Sequence, residues 1–163
     1  SMLYQMRQKI FCFGDDYTIR DRDGREAYFV DGRALSIGDK LSFQDMSGKQ
    51  LAFIRQRLLA WGKTYDIERN GQITTIHKEL FTFFNCRFNV DVPGPNDLEA
   101  RGDFLDMEYA FVDAAGRQVA GISKRWFSLA DTYGIDIAPG QDDVLILCSA
   151  VVIDLCCHGD RKR

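Results

Sequence analysis

The chain has 163 residues, 45% of them hydrophobic and 28% charged, which suits one domain with a packed core and argues against disorder. Its formal net charge of -3 speaks against nucleic acid as a partner, because that binding needs a concentrated positive field. Ser1 ahead of Met2 reads as a remnant of tag removal.

Residues 2–10 mix charged and amide side chains with apolar ones and form no long apolar core, so no signal peptide is expected there. The five cysteines are Cys12, Cys86, Cys148, Cys156 and Cys157. An odd number, with three in one apolar segment, fits reduced buried thiols rather than a disulfide framework, and implies a cytoplasmic setting.

A repeat then runs along the chain. Phe13-Gly14-Asp15-Asp16-Tyr17-Thr18-Ile19 is followed by a turn at Asp21–Arg25. Ile37-Gly38-Asp39-Lys40-Leu41-Ser42-Phe43 leads to a turn at Asp45–Lys49 and a return strand Gln50–Ile54. Trp61-Gly62-Lys63-Thr64-Tyr65-Asp66-Ile67 leads to Arg69-Asn70-Gly71. A fourth unit fits near Phe83. It contains the strict alternation Cys86-Arg87-Phe88-Asn89-Val90-Asp91-Val92 and stops at Pro93-Gly94-Pro95-Asn96. Units beginning near 105 and 129 complete the series. Segment 109–135 matches segment 41–67 without a gap at ten of 27 positions, including Phe43/Phe111, Asp45/Asp113, Gly48/Gly116, Arg57/Arg125, Tyr65/Tyr133 and Ile67/Ile135.

Each unit reads as a hairpin. Apolar residues recur with period two, as on a half-buried strand. In Asp-x-x-Gly-Arg/Lys the aspartate accepts turn amides and the glycine supplies a positive φ. Six hairpins give about twelve antiparallel strands, and a sheet that long removes its edges by closing.

Residues 142–157 break the pattern. After Pro139-Gly140, Asp142 and Asp143 suit a helix N-terminus. The run from Val144 to Cys157 is apolar on nearly all sides. Fourteen residues span about 21 Å, short of a hydrocarbon core of roughly 30 Å, so a transmembrane span is not expected. Asp154 also opposes insertion. The expected fold is therefore mainly β, with residues 2–158 forming one closed barrel around a central hydrophobic C-terminal helix. Asp154 is expected near an open end or paired with Arg or Lys, and residues 159–163 form a basic tail.

Several motifs carry a resemblance. Lys9-x-Phe11-x-Phe13-Gly14-Asp15-x-Tyr17-x-Ile19, Ser36-x-Gly38-Asp39-Lys40-Leu41-Ser42, Ile76-x-Lys78-Glu79, Ser123-Lys124-Arg125-Trp126-Phe127-Ser128 and the closing apolar run with Asp154 resemble the LURP-one-related (YxjI-like) family, in its short bacterial form. The resemblance covers the whole chain. It implies the tubby C-terminal fold, a twelve-stranded barrel around a hydrophobic helix. Tubby proteins bind phosphoinositide head groups through basic residues, phospholipid scramblases share the fold, and plant members are linked to defence.

Candidate chemistry is sparse. The histidines are His77 and His158, and neither sits in a nucleophile or metal motif. Cys156-Cys157-His158 cannot easily surround one ion, since consecutive helical residues point about 100° apart. No enzyme activity, cofactor or metal is expected. The first reading is a binding or scaffold module that meets a protein partner through barrel loops or a rim. The second is peripheral attachment to anionic phospholipid, with Arg57, Lys63, Lys124, Arg125 and the tail Arg161-Lys162-Arg163 as candidate contacts, each giving about 1 kcal/mol near such a surface.

Overall fold

The computed structural model describes residues 1–8, 16–32, 40–57, 63–80, 86–129 and 132–158. Twelve strands precede one helix: β1 (Met2–Gln8), β2 (Tyr17–Asp21), β3 (Glu26–Gly32), β4 (Lys40–Asp45), β5 (Gln50–Gln56), β6 (Thr64–Arg69), β7 (Gln72–Leu80), β8 (Cys86–Asp91), β9 (Leu98–Asp103), β10 (Glu108–Val112), β11 (Gln118–Ser123), β12 (Thr132–Ile137) and α1 (Asp143–His158). Every strand pairs antiparallel with its sequence neighbours, and β1 closes the ring by pairing with both β2 and β12.

Turn chemistry sets the hairpins. Asp21, Asp45 and Asp113 repeat one arrangement, in which the carboxylate Oδ1 accepts the amides two and four residues on, at 2.9–3.1 Å. Gly24, Gly48 and Gly116 close these turns at φ of 85°, 87° and 80°, values a glycine adopts at no steric cost. Between β6 and β7 the two-residue turn is Asn70-Gly71, at φ 49° and 77°, a pairing that favours the twist of a tight hairpin.

The repeat makes the core periodic. The first strand of each unit points one residue inward at the same level: Tyr17, Leu41, Tyr65, Phe88, Tyr109 and Tyr133. Their cross-strand partners are Val30, Ile54, Ile76, Ala100, Ile122 and Met6. Those partners pair in turn with Phe43, Ile67, Val90, Phe111, Ile135 and Ile19, two residues along the next unit. That constant stagger tilts the strands and closes the barrel. Twelve strands about 4.8 Å apart at a tilt of 35–45° enclose a radius of about 11–13 Å. A helix with its side chains takes 5–6 Å of that radius, and the inward wall residues fill the rest.

The helix occupies this space. Ile146, Leu147, Cys148, Ala150, Val151, Val152, Ile153 and Leu155 are each 0–2% exposed. A Val, Leu or Ile buried so completely contributes about 1.5–3 kcal/mol before entropy. Asp142 caps the helix, its Oδ1 accepting the Leu145 amide at 3.2 Å. The helix starts at the end carrying the tight turns, the entry rim, and finishes at the end where β1–β2, β5–β6 and β11–β12 are joined, the exit rim. It is not long enough to qualify as a membrane-crossing helix.

The sixth unit departs from the expected hairpin. Its first strand is β12, but the chain then leaves the sheet and becomes α1. The missing return strand is supplied by β1, from the other end of the chain, with Met6 facing Tyr133. Twelve strands are reached by five contiguous hairpins and one split pair.

Candidate functional site

The repeat places the sequence candidates on one rim but on opposite walls. Arg57 follows β5 and Lys63 precedes β6, while Lys124 and Arg125 follow β11, all at the exit rim. In the strand order β5 and β11 lie half a barrel apart. The 68-residue offset that pairs Arg57 with Arg125 in the sequence is therefore a rotation by six strands. Arg57 and Lys63 do not converge with Lys124 and Arg125. Arg161, Lys162 and Arg163 lie outside the described residues.

Their local roles differ. Arg57 Nε donates to Asp66 Oδ2 at 2.8 Å on the outer wall. Lys63 Nζ donates to the Cys156 carbonyl at 3.1 Å, tying β6 to the last turn of α1 where carbonyls lack helical partners. Arg125 is 86% exposed at its side chain, with Glu108 3.8 Å away.

The connection that carries Lys124 and Arg125 also carries exposed apolar residues. Trp126 is 45% exposed and Leu129 60%, and Leu105, on the neighbouring β9–β10 connection, is 59% exposed. The segment folds back along the barrel wall. A Cβ on Gly134 would lie 2.7 Å from Trp126 Cε3 and 2.9 Å from Phe127 Cε2, and one on Gly121 would lie 3.5 Å from Trp126 Cη2. Two outward glycines on β11 and β12 thus make the flat seat on which the Trp126 ring rests. The basic residues were visible in the sequence, but this apolar component was not singled out. Its signal was Trp126, Phe127 and Leu129 within a polar interstrand segment.

Beneath the exit rim lies a buried polar cluster. The Tyr17 hydroxyl donates to Asp154 Oδ2 at 2.6 Å. Asp154 is 5% exposed and sits beside Tyr17 towards the exit rim, the open-end position expected as the alternative to an Arg or Lys partner. The buried Tyr109 and Tyr133 hydroxyls make no hydrogen bond among the described residues. Burial, and after it the nearby Asp154 carboxylate, hold both phenols well above their ordinary range. Burial also pushes the Cys157 thiol up to about 11. No group of three metal-ligating side chains assembles among the described residues.

At the entry rim the helix leaves a cleft of about 710 Å³ against the β6–β7, β8–β9 and β10–β11 connections. Its lining includes Leu98, Val119 and Ile146, all nearly fully buried, and Thr74. Arg69 and Arg117 flank it, Arg69 bonded to Asp142 and Arg117 to Asp113.

A closed twelve-stranded antiparallel barrel threaded by one apolar helix is the tubby-like architecture. The X-ray structure of an Arabidopsis thaliana protein superposes with a TM-score of 0.64 over 99% of this chain and 92% of that one, at 16% identity, a likeness of fold. The family model for LURP-one-related proteins matches residues 2–154. The chain is 34% identical over 158 residues to the uncharacterized protein YxjI of Bacillus subtilis (strain 168), covering 97% of this chain and 95% of that protein. This chain belongs to the LURP-one-related family.

Proposed function

We propose that this protein is a non-catalytic binding module that works through its exit rim, and that the surface it meets there is an anionic phospholipid face. The observation that carries this reading is the company of side chains on two adjacent connections. Leu105, Trp126 and Leu129 stand exposed beside Lys124 and Arg125. Aromatic and aliphatic side chains gain free energy on leaving water for the acyl boundary, and basic residues beside them add about 1 kcal/mol each near anionic lipid. The helix fills the barrel, which leaves its rims and outer wall as contact surfaces.

Sedimentation with phosphatidylcholine vesicles, with and without phosphatidylserine, tests this. The expected result is pelleting that requires phosphatidylserine, weakens with salt, and is lost in a Lys124→Glu, Arg125→Glu, Leu129→Ser variant that still melts cooperatively. Pelleting that ignores phosphatidylserine, or none at all, removes the lipid and leaves a protein partner as the occupant of this rim.

A further inference from the structure

The polar cluster beneath the exit rim holds more bonding capacity than its own side chains use. We infer that Asp154, Tyr109 and Tyr133 bind one buried water molecule there, which joins both phenols to the carboxylate and ties the end of α1 to the wall on both sides of the closing strand β1.

Three observations lead to this site. The first is convergence. Tyr109, Tyr133 and Tyr17 point inward at one level from β10, β12 and β2, alternate strands of the run β10-β11-β12-β1-β2. Asp154 faces this stretch of wall, because its Oδ2 accepts the Tyr17 hydroxyl at 2.6 Å. After burial itself, the Asp154 charge is the chief influence that raises the other two phenols, so it lies near each of them.

The second is a pair of unused hydroxyls. Tyr109 and Tyr133 are each 5% exposed, and neither hydroxyl has a hydrogen-bond partner among the described residues. Neither therefore bonds Asp154 directly. Buried hydroxyls are seldom left in this condition, since an unmade bond costs the full desolvation of the group. Two phenols near a carboxylate but out of direct reach have the spacing that a water spans.

The third is the match of donors to acceptors. An ionised carboxylate accepts at about four positions, of which Tyr17 takes one. A water that accepts from Tyr109 and Tyr133 and donates to Asp154 makes three bonds, the usual number for a buried water. One turn before Asp154, on the same face of α1, stands Ala150. Its methyl group fills less of the space beside the carboxylate than any larger side chain would. A metal ion suits the place less well, because Lys63 already sets an ammonium on the neighbouring Cys156 carbonyl.

The location gives the water a structural task. Tyr133 on β12 and Tyr17 on β2 flank β1, the strand that closes the ring. Bonds from both sides of it then meet on one helix side chain.

Diffraction from the intact chain, at a resolution that shows ordered water, tests the inference together with chemical melts of phenylalanine variants. A peak within hydrogen-bonding distance of Asp154 and of both hydroxyls is expected, with no anomalous signal from crystals soaked in rubidium chloride. Tyr109→Phe and Tyr133→Phe are each expected to lower the folding constant about tenfold. The double variant is expected to lose much less than the product of the two, because one water serves both hydroxyls. A hydroxyl without a partner gives the opposite sign, since removing it leaves the folding constant unchanged or raised. No peak, a rubidium signal, variants as stable as the parent, or fully additive losses would each overturn the inference. If a variant does not fold, the diffraction result decides alone. The site is inside the barrel, so this experiment and the vesicle experiment fail separately.

Discussion

Tyr17 bridges the first hairpin and the last turns of the helix. Its hydroxyl bonds the carboxylate of Asp154 inside the core. A buried carboxylate is costly unless hydrogen-bonded, so Tyr17→Phe is expected to lower stability by about 1.5–3 kcal/mol, the usual worth of a bond to a charged group. A chemical melt that moves by less than half of that would deny Asp154 this dependence. Gly134 makes a sharper test of the wall seat. A methyl group there meets Trp126 and Phe127 at under 3 Å, so Gly134→Ala is expected to displace the ring and cost about 1–3 kcal/mol. Tryptophan emission shifted towards that of a solvated indole, with a lower melting temperature, is the expected reading. Neither of these contacts was legible in the sequence. A glycine inside a strand signals close approach, but only coordinates say what approaches.

The Asp45 and Asp113 turns have a pH signature. Asp45 is held below the usual carboxylate range by its Ser47 hydroxyl, and Asp113 by the Arg117 amide. Groups with a lowered folded pKa stabilise the protein above their unfolded value, near 3.9, and lose that contribution as pH falls through the lower folded value. Carbon-detected titration of these two carboxyl groups is expected to give midpoints below about 3.9. Midpoints at or above it would show that the turn bonds do not persist in solution.

At the scale of elements, hairpin order was readable because strand period, turn glycines and the internal match all repeat at one interval. β1 was not. Residues 2–10 mix Tyr4 and Met6, which face the core, with Gln5 and Arg7 on the outer wall, and no turn motif announces the strand. Its role is dictated from outside: the helix takes the place of the sixth return strand, so β12 needs a partner that only the N-terminus can give. Without residues 2–8, β2 and β12 would become exposed edges of an open sheet, a geometry prone to intermolecular pairing. That deletion is expected to convert the protein into aggregates on size-exclusion chromatography, and a monomeric, cooperatively melting product would show the ring to be dispensable. The exit-rim candidates illustrate the opposite limit. Arg57 and Arg125 were linked by sequence similarity, yet that similarity is a rotation by six strands, so it separates them across the rim instead of joining them.

For the whole molecule, the controlling fact is that one helix is the core of a barrel. Composition made the helix visible: an apolar run too short for a bilayer and too long for a typical strand needs an enclosed home. The barrel's interior and the helix's girth agree within the packing of one layer of side chains. Val151→Lys or Val152→Lys would place an ammonium among wholly buried neighbours, and neither variant is expected to fold to a soluble, cooperative state. The same arrangement sends function outward, to rims whose exposed Trp126, Leu129 and Leu105 or whose entry cleft can meet a partner.

Native-state hydrogen exchange along α1 probes this arrangement most directly. If the helix is the core around which the barrel closes, amides from Leu147 to Leu155 exchange only by global unfolding, with the same opening free energy as β1 and β12 and the slowest rates in the chain. Helix amides that exchange through a separate, lower-energy opening while the strands stay protected would contradict it, because the barrel would then stand without its filling.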